Sequence, residues 1–240
     1  MTIILIAYDK ETNSTFVACD SQSTLSHYRN DQKERNNMLK FFRQEALTVA
    51  CCGNLRTANV LEYTELTEPV YIYEDLSHKQ VVTEIVPKMF KALEDANNIV
   101  KVDGLSYMQG DFIVTNGKNI FNISGDGAVT QHEEFCCSGS GCIIADGAWN
   151  IIKDNTELNT LQKIIHIMMA TLEKDIYTAY PIKIMNVFMD DVIVLSNKDE
   201  ALEAIEKIKT VPKQPKTTPN KTVINKKCTT KKNTKITSAT

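Results

Sequence analysis

The order of hydrophobic patterns along these 240 residues predicts an α+β fold in which antiparallel hairpins and pairs of helices come in blocks. Short runs rich in β-branched residues are joined by turn-length polar segments, the pattern of hairpins. Two stretches between them, 55–96 and 143–178, carry apolar residues at helical spacing. The blocks follow one another as strands, helices, strands, helices, strands, which suits helices layered on antiparallel sheets rather than alternating βαβ units. A four-layer sandwich is a candidate that the pattern alone does not select.

Ile3–Tyr8 is short and β-branched, Asp9–Ser14 carries turn residues, and Thr15–Cys19 resumes the apolar run. The chain therefore opens with a hairpin ending at Asp20. Ser21–Asn37 is polar and reads as a loop or an irregular strand. A second hairpin runs from Leu39 to Arg43, turns at Gln44-Glu45 and returns over 46–52 to Gly53. Leu55–Leu66 suits one helix. Val81, Ile85, Met89, Phe90 and Leu93 recur at helical spacing, so a second helix is expected over 79–96, with Pro87 kinking it or moving its start. Strands are expected at Phe112–Thr115, Ile120–Ser124 and Ala128–Thr130, separated by Asn116-Gly117-Lys118 and Gly125-Asp126-Gly127. Phe135–Cys137 is a short buried strand that stops at Ser138-Gly139-Ser140-Gly141. Helices over 143–152 and 158–178, a strand pair at 182–187 and 192–196 around Asp190-Asp191, and a short helix over 199–208 complete the order.

Composition divides the chain in two. It has 27 Lys and Arg against 30 Asp and Glu, but eight of the lysines lie beyond Thr210 and no acidic residue lies beyond Glu206. An acidic folded domain over 1–209 and a basic Lys/Thr-rich tail over 210–240 are expected, the tail too poor in large apolar residues to fold. It has no aromatic residue to stack on bases, so an acidic partner suits it better than specific nucleic-acid binding. Seven cysteines, four of them in the adjacent pairs Cys51-Cys52 and Cys136-Cys137, lack metal spacing and read as buried, reduced thiols. The four histidines are scattered, and no Gly-rich phosphate loop occurs, so neither a metal nor another cofactor is expected. No apolar run approaches the ~20 residues of a membrane span. The apolar start lacks a basic n-region and is not a signal peptide, which makes the cytoplasm the expected location.

Chemistry is expected first at Thr2. Once Met1 is removed, Thr2 offers a hydroxyl to attack and a terminal amine, with a pKa near ~8, to take its proton. The bland alternative is a threonine that merely starts a strand. Asp20 closes the first hairpin and so lies near its start, and Lys40 opens the second. An ammonium beside the hydroxyl lowers the cost of the alkoxide, and a carboxylate holds that ammonium. Gly53, between strand and helix, offers a backbone N–H for an oxyanion and room for a substrate backbone. Ser140 stands where a hydroxyl can cap the following helix and reach a polar site.

Several segments, in order, resemble proteasome β-type subunits and the bacterial proteasome-like (HslV-type) peptidase, which are N-terminal-nucleophile hydrolases. Thr2–Ile6 followed by Val17-Ala18-Cys19-Asp20-Ser21 is similar to the family's opening strand and Ala-Ala-Asp-Ser motif. Lys40–Arg43 followed by Val49–Gly53 resembles its lysine strand and Ala-Gly turn. Gly110–Gly127 resembles its central hairpin, Gly139-Ser140-Gly141 with Ala145 its Gly-Ser-Gly helix start, and Asp175–Ala179 its Asp-x-x-Ser-Gly motif, here with Thr178-Ala179 in place of Ser-Gly. The resemblance spans about 1–197. It implies an αββα sandwich and a threonine-type peptidase acting through an acyl-enzyme ester. Thr2 would be the nucleophile, Asp20 and Lys40 its activating pair, Gly53 the oxyanion donor, and Ser140, Asp175 and Thr178 polar support around the amine. It also implies peptide or unfolded-protein substrates, a ring-like homo-oligomer and a separate ATP-dependent unfoldase. A one-residue slip would put Met1 at the nucleophile position, and a one-residue shift at Lys40 would put Leu39 at the lysine position. Either would leave an inactive binding protein of the same fold, with the basic tail as its interaction element. A small amide is a further alternative substrate.

Overall fold

A computed structural model of the chain describes residues 2–25, 28–30, 40–44, 47–67, 76–189 and 191–209. Met1, Leu39, Asp190 and the expected tail over 210–240 lie outside the described residues.

Two five-stranded antiparallel sheets form the centre. The first is built from β1 (Ile3–Asp9), β2 (Ser14–Cys19), β12 (Phe135–Gly139), β13 (Ile182–Asn186) and β14 (Val192–Leu195), in the order β12-β1-β2-β13-β14. The second comprises β5 (Phe41–Gln44), β6 (Leu47–Gly53), β9 (Gly110–Thr115), β10 (Ile120–Ile123) and β11 (Val129–His132), in the order β11-β10-β9-β6-β5. Two small ribbons stand apart: β3 (Ser23–Leu25) with β4 (Tyr28–Asn30), and β7 (Ile99–Val102) with β8 (Leu105–Met108).

Strands buried on both faces need a helix layer outside each sheet, and the side chains divide accordingly. Along β1, Ile4 and Ile6 point into the space between the sheets, where they meet Val17, Cys19, Ala50, Cys52 and Ile113. Ile3, Leu5 and Ala7 point the other way, onto α4 (Cys142–Ile152), α5 (Thr160–Lys174) and α6 (Lys198–Lys209). The outer face of the second sheet packs Val49, Phe112 and Phe121 against α1 (Leu55–Glu62) and α3 (Val86–Asp95). The result is the αββα sandwich expected above. The paired cysteines follow the same alternation: Cys51 faces α1 and α3, and Cys52 faces the inter-sheet layer. Burial pushes the thiol pKa of Cys19 up to about 11 and of Cys136 up to about 12, with Cys51 and Cys137 raised further, so these are core thiols.

Three local expectations change. The helix foreseen over 79–96 is a capped turn, α2 (His78–Gln80), a π-helical stretch Val81–Ile85, and α3. Pro87 is the second residue of α3, which continues directly from the π-helical stretch, so its missing N–H interrupts the backbone ladder at that junction. The π-helical stretch just before it relaxes the clash a proline makes with the preceding turn. The helix expected over 158–178 ends at Lys174, so Asp175 and Thr178 belong to the loop after α5. The β7–β8 hairpin was not foreseen. Its two-residue Asp103-Gly104 turn has φ of 52° and 82°, the positive values that Asp-Gly favours.

Candidate active site

Three elements converge on Thr2. Antiparallel pairing of β1 with β2 sets Ile4 opposite Cys19, which brings Asp20 back beside the start of the chain. The Asp20 N–H donates to the Ile3 carbonyl at 3.3 Å, closing the ladder. Lys40 leads into β5 at the other sheet, and its carbonyl accepts the Cys51 N–H at 2.7 Å.

The side chains meet at the Thr2 hydroxyl. Thr2 Oγ1 donates to Asp20 Oδ1, and Lys40 Nζ donates to Thr2 Oγ1 in a similarly short contact. Lys40 Nζ also reaches Asp20 Oδ1 at 2.6 Å and the Gln22 carbonyl at 2.8 Å, which uses its three N–H donors. Asp20 is fully buried and Lys40 is 11 % exposed. A buried carboxylate needs compensation beyond one cation, and Asp20 receives it from backbone N–H groups of Ile3 at 3.0 Å, Gln22 at 2.8 Å and Ala179 at 3.3 Å. The Ala179 contact ties the loop after α5 to the site.

That loop carries a second polar group. Ser140 Oγ lies 2.7 Å from Asp175 Oδ2 and 3.3 Å from the Thr2 carbonyl oxygen, so its one proton goes first to the carboxylate. Asp175 Oδ1 accepts the Tyr177 N–H at 3.0 Å, and Thr178 Oγ1 donates to the Asp175 carbonyl at 3.0 Å. Thr178 thus braces the loop and reaches the site through Asp175. The capping role foreseen for Ser140 does not hold: Gly141 is the N-cap of α4 and no side chain caps it.

Thr2 lines an open cleft of about 340 Å³ at the end of the inter-sheet layer, together with Gly53 and Ser140. The cleft is narrow in backbone terms. Gly53 has φ +121°, and a Cβ there would stand 2.6 Å from the Gln109 carbonyl oxygen; Gly139 has φ +103°, and a Cβ there would stand 2.2 Å from the Thr2 carbonyl oxygen. Both positions demand glycine. Cys52 Sγ and Ser138 Oγ, 3.3 Å apart, bridge the two sheets beside it.

All seven residues singled out in the sequence therefore lie in or beside one site. Sequence reasoning missed Gln22, whose carbonyl anchors Lys40, and Lys183. Lys183 is fully buried on β13, opposite Cys19 in register. Burial lowers its pKa below the ordinary lysine value; Cys19 and Asp20 oppose that shift and the Lys40 ammonium adds to it. An isolated lysine in an otherwise apolar strand, Ile182-Lys183-Ile184, was the available signal. Among the described residues no His, Cys, Asp and Glu cluster could hold a metal, and no helix is long and apolar enough to cross a membrane.

No family model matches the chain, and no curated protein matches it in sequence. Solved structures do match in fold. BPH from Thiobacillus denitrificans in complex with epoxomicin superposes with a TM-score of 0.63 at 19 % identity, covering 82 % of this chain and 100 % of BPH. Eukaryotic HslV from Trypanosoma brucei gives 0.53 at 18 % identity, covering 82 % of this chain and 100 % of its own. The Anbu complex from Pseudomonas aeruginosa, a helical assembly, gives 0.57 at 13 % identity, covering 90 % and 99 %. The fold of this chain is that of the proteasome-like N-terminal-nucleophile hydrolases.

Proposed function

We propose that the chain is a threonine-type peptidase whose nucleophile, Thr2, is exposed by removal of Met1. The observation that carries this reading is the contact of one hydroxyl, that of Thr2, with both the Lys40 ammonium and the Asp20 carboxylate at the mouth of a cleft. A strand-starting threonine with no chemical role has no need of a buried cation aimed at its oxygen.

In this reaction the Thr2 oxygen attacks the peptide carbonyl carbon and its proton passes to the terminal amine. Lys40 stabilises the negative charge growing on the oxygen, and Asp20 holds the Lys40 ammonium in place. Ser140, with its own proton given to Asp175, presents an oxygen lone pair that orients the amine. The Gly53 N–H is the oxyanion donor, a contribution of about 3 kcal/mol where such donors have been removed elsewhere. The C–N bond breaks, the leaving amine takes the proton held by the terminal amine, and water cleaves the resulting ester. The amine must be neutral to accept a proton, so activity should rise with pH through about 8.

Peptides and unfolded chains are the proposed substrates, and folded proteins would reach the cleft only through a separate ATP-dependent unfoldase. A cytoplasmic homo-oligomer is the proposed form. The helical assembly of Anbu supports this, as do Ile143 and Ile151 of α4, both 83 % exposed. Incubation of the purified protein with casein tests the activity. Release of peptides that is lost in Thr2→Ala and in Lys40→Met is expected. Casein left intact by a protein already trimmed to Thr2, or cleavage that survives Thr2→Ala, contradicts the reading.

A further inference from the structure

Asp111 is the one carboxylate among the residues lining the cleft, and the chemistry above leaves it unused; the Cys52 thiol beside it is held neutral by burial. It sits on β9 opposite Cys52 in the register with β6. Its strand neighbour two residues on, Ile113, and the partner-strand residues Ala50 and Cys52 all face the inter-sheet layer, so alternation turns Asp111 to the same side, at that layer's open end. An apolar residue would continue the pattern there; a carboxylate breaks it at the position where the layer becomes cleft. The rest of the lining is neutral, and Gly53, Gly110, Gly125 and Gly139 leave much of it bare backbone.

Structural bracing does not account for the charge. Asp111 Oδ1 accepts the Gly125 N–H at 3.0 Å, a task that a neutral amide oxygen performs as well. No Lys or Arg among the described residues pairs with Asp111, and the half-buried group is reachable from the cleft. Asp20 and Asp175, the other carboxylates of the site, are occupied by Lys40 and Ser140.

We propose that Asp111 makes the cleft selective for peptides carrying a lysine or arginine next to the scissile bond. The proposal rests on the peptidase reading for its cleavage consequence, but the charge preference belongs to binding. A carboxylate at the mouth of a low-dielectric cleft attracts a cationic side chain, repels an acidic one, and acts less at high salt.

The test is fluorescence anisotropy with three labelled octapeptides that differ only in a central Lys, Leu or Glu. The proteins are Thr2→Ala, which holds substrate without turnover, and Thr2→Ala combined with Asp111→Asn. Asparagine keeps the acceptor for Gly125 and so the local fold. The lysine peptide is expected to bind about five- to tenfold more tightly than the leucine peptide, the glutamate peptide most weakly. In the Asp111→Asn background the order should collapse to within about twofold. Equal binding of all three peptides, no binding of the lysine peptide, or a preference that survives Asp111→Asn overturns the proposal. The two readings fail separately. Selective binding with no cleavage by the Thr2-bearing protein rejects the peptidase and keeps the Asp111 subsite, whereas cleavage indifferent to charge rejects the subsite alone.

Discussion

At Thr2 the stability and the reactivity of one contact are separable. Lys40→Met removes the counter-charge of a fully buried carboxylate but leaves Asp20 its three backbone N–H donors, so the fold should lose about 3 kcal/mol, the low end for breaking a buried pair. The same change should abolish reaction at Thr2; chemical denaturation and peptide release, measured on one preparation, check both. Lys183 makes an opposite kind of prediction. Its pKa is lowered from 10.5 in the folded protein, so the unfolded chain binds the extra proton as pH falls. The stability Lys183 contributes is therefore largest above 10.5 and is lost as pH falls through the lowered value. Wild-type stability relative to Lys183→Met should rise between neutral pH and 10.5; a flat difference in melting temperature across that window would refute the assignment. Thr2, Asp20 and Lys40 were legible in sequence because they stand at hairpin ends, where order along the chain predicts proximity. Lys183 and Asp111 were not, since a lone charge in an apolar strand does not reveal which face of which sheet it occupies.

Elements carry these residues by register and by backbone shape. Gly139 ends β12 against the backbone of Thr2, and no side chain fits between them. Gly139→Ala combines a positive φ with a backbone clash, so a loss of about 2–3 kcal/mol is expected, together with loss of peptide release; a variant as stable and as active as wild type would contradict this. Both outer helix pairs were visible as apolar periodicity, but their interruptions were less so. Pro87 marked a break in the second helix, yet only the packing of Val81, Ile85 and Met89 on the sheet explains why the chain widens into a π-helical stretch and continues. The end of α5 at Lys174 was overrun because Ile176 continues the apolar run, although it is 71 % exposed in the loop. The β7–β8 ribbon leaves little trace in the sequence because Val100, Val102 and Leu105 are exposed and bury no clear face, so that Asp103-Gly104 is its main signal.

The described residues build two main sheets sharing one inner layer, each with its own helix layer, and the described side chains of those three cores lie between Ile3 and Ile208. The block order of strands and helices made layers legible; the choice of an αββα sandwich needed the resemblance, since pattern does not say which two sheets face each other. A chain truncated after Thr210 should accordingly melt within about 2 °C of the full chain, a shift below that of a typical core change. A larger fall in melting temperature would mean that the lysine-rich end contributes to the fold. The architecture also explains why the site sits where it does: the inner layer is apolar until it opens at the Thr2 end, so burial ends and chemistry begins at one edge.

The most direct test of the central claim is the intact mass of the purified protein before and after treatment with an epoxyketone, which forms its stable adduct only with a hydroxyl and a free amine on the same terminal residue. The account predicts loss of Met1 and gain of one adduct, abolished in a Thr2→Ala protein that still loses Met1. Retained Met1 with no adduct, or a trimmed protein that takes up none, would contradict it.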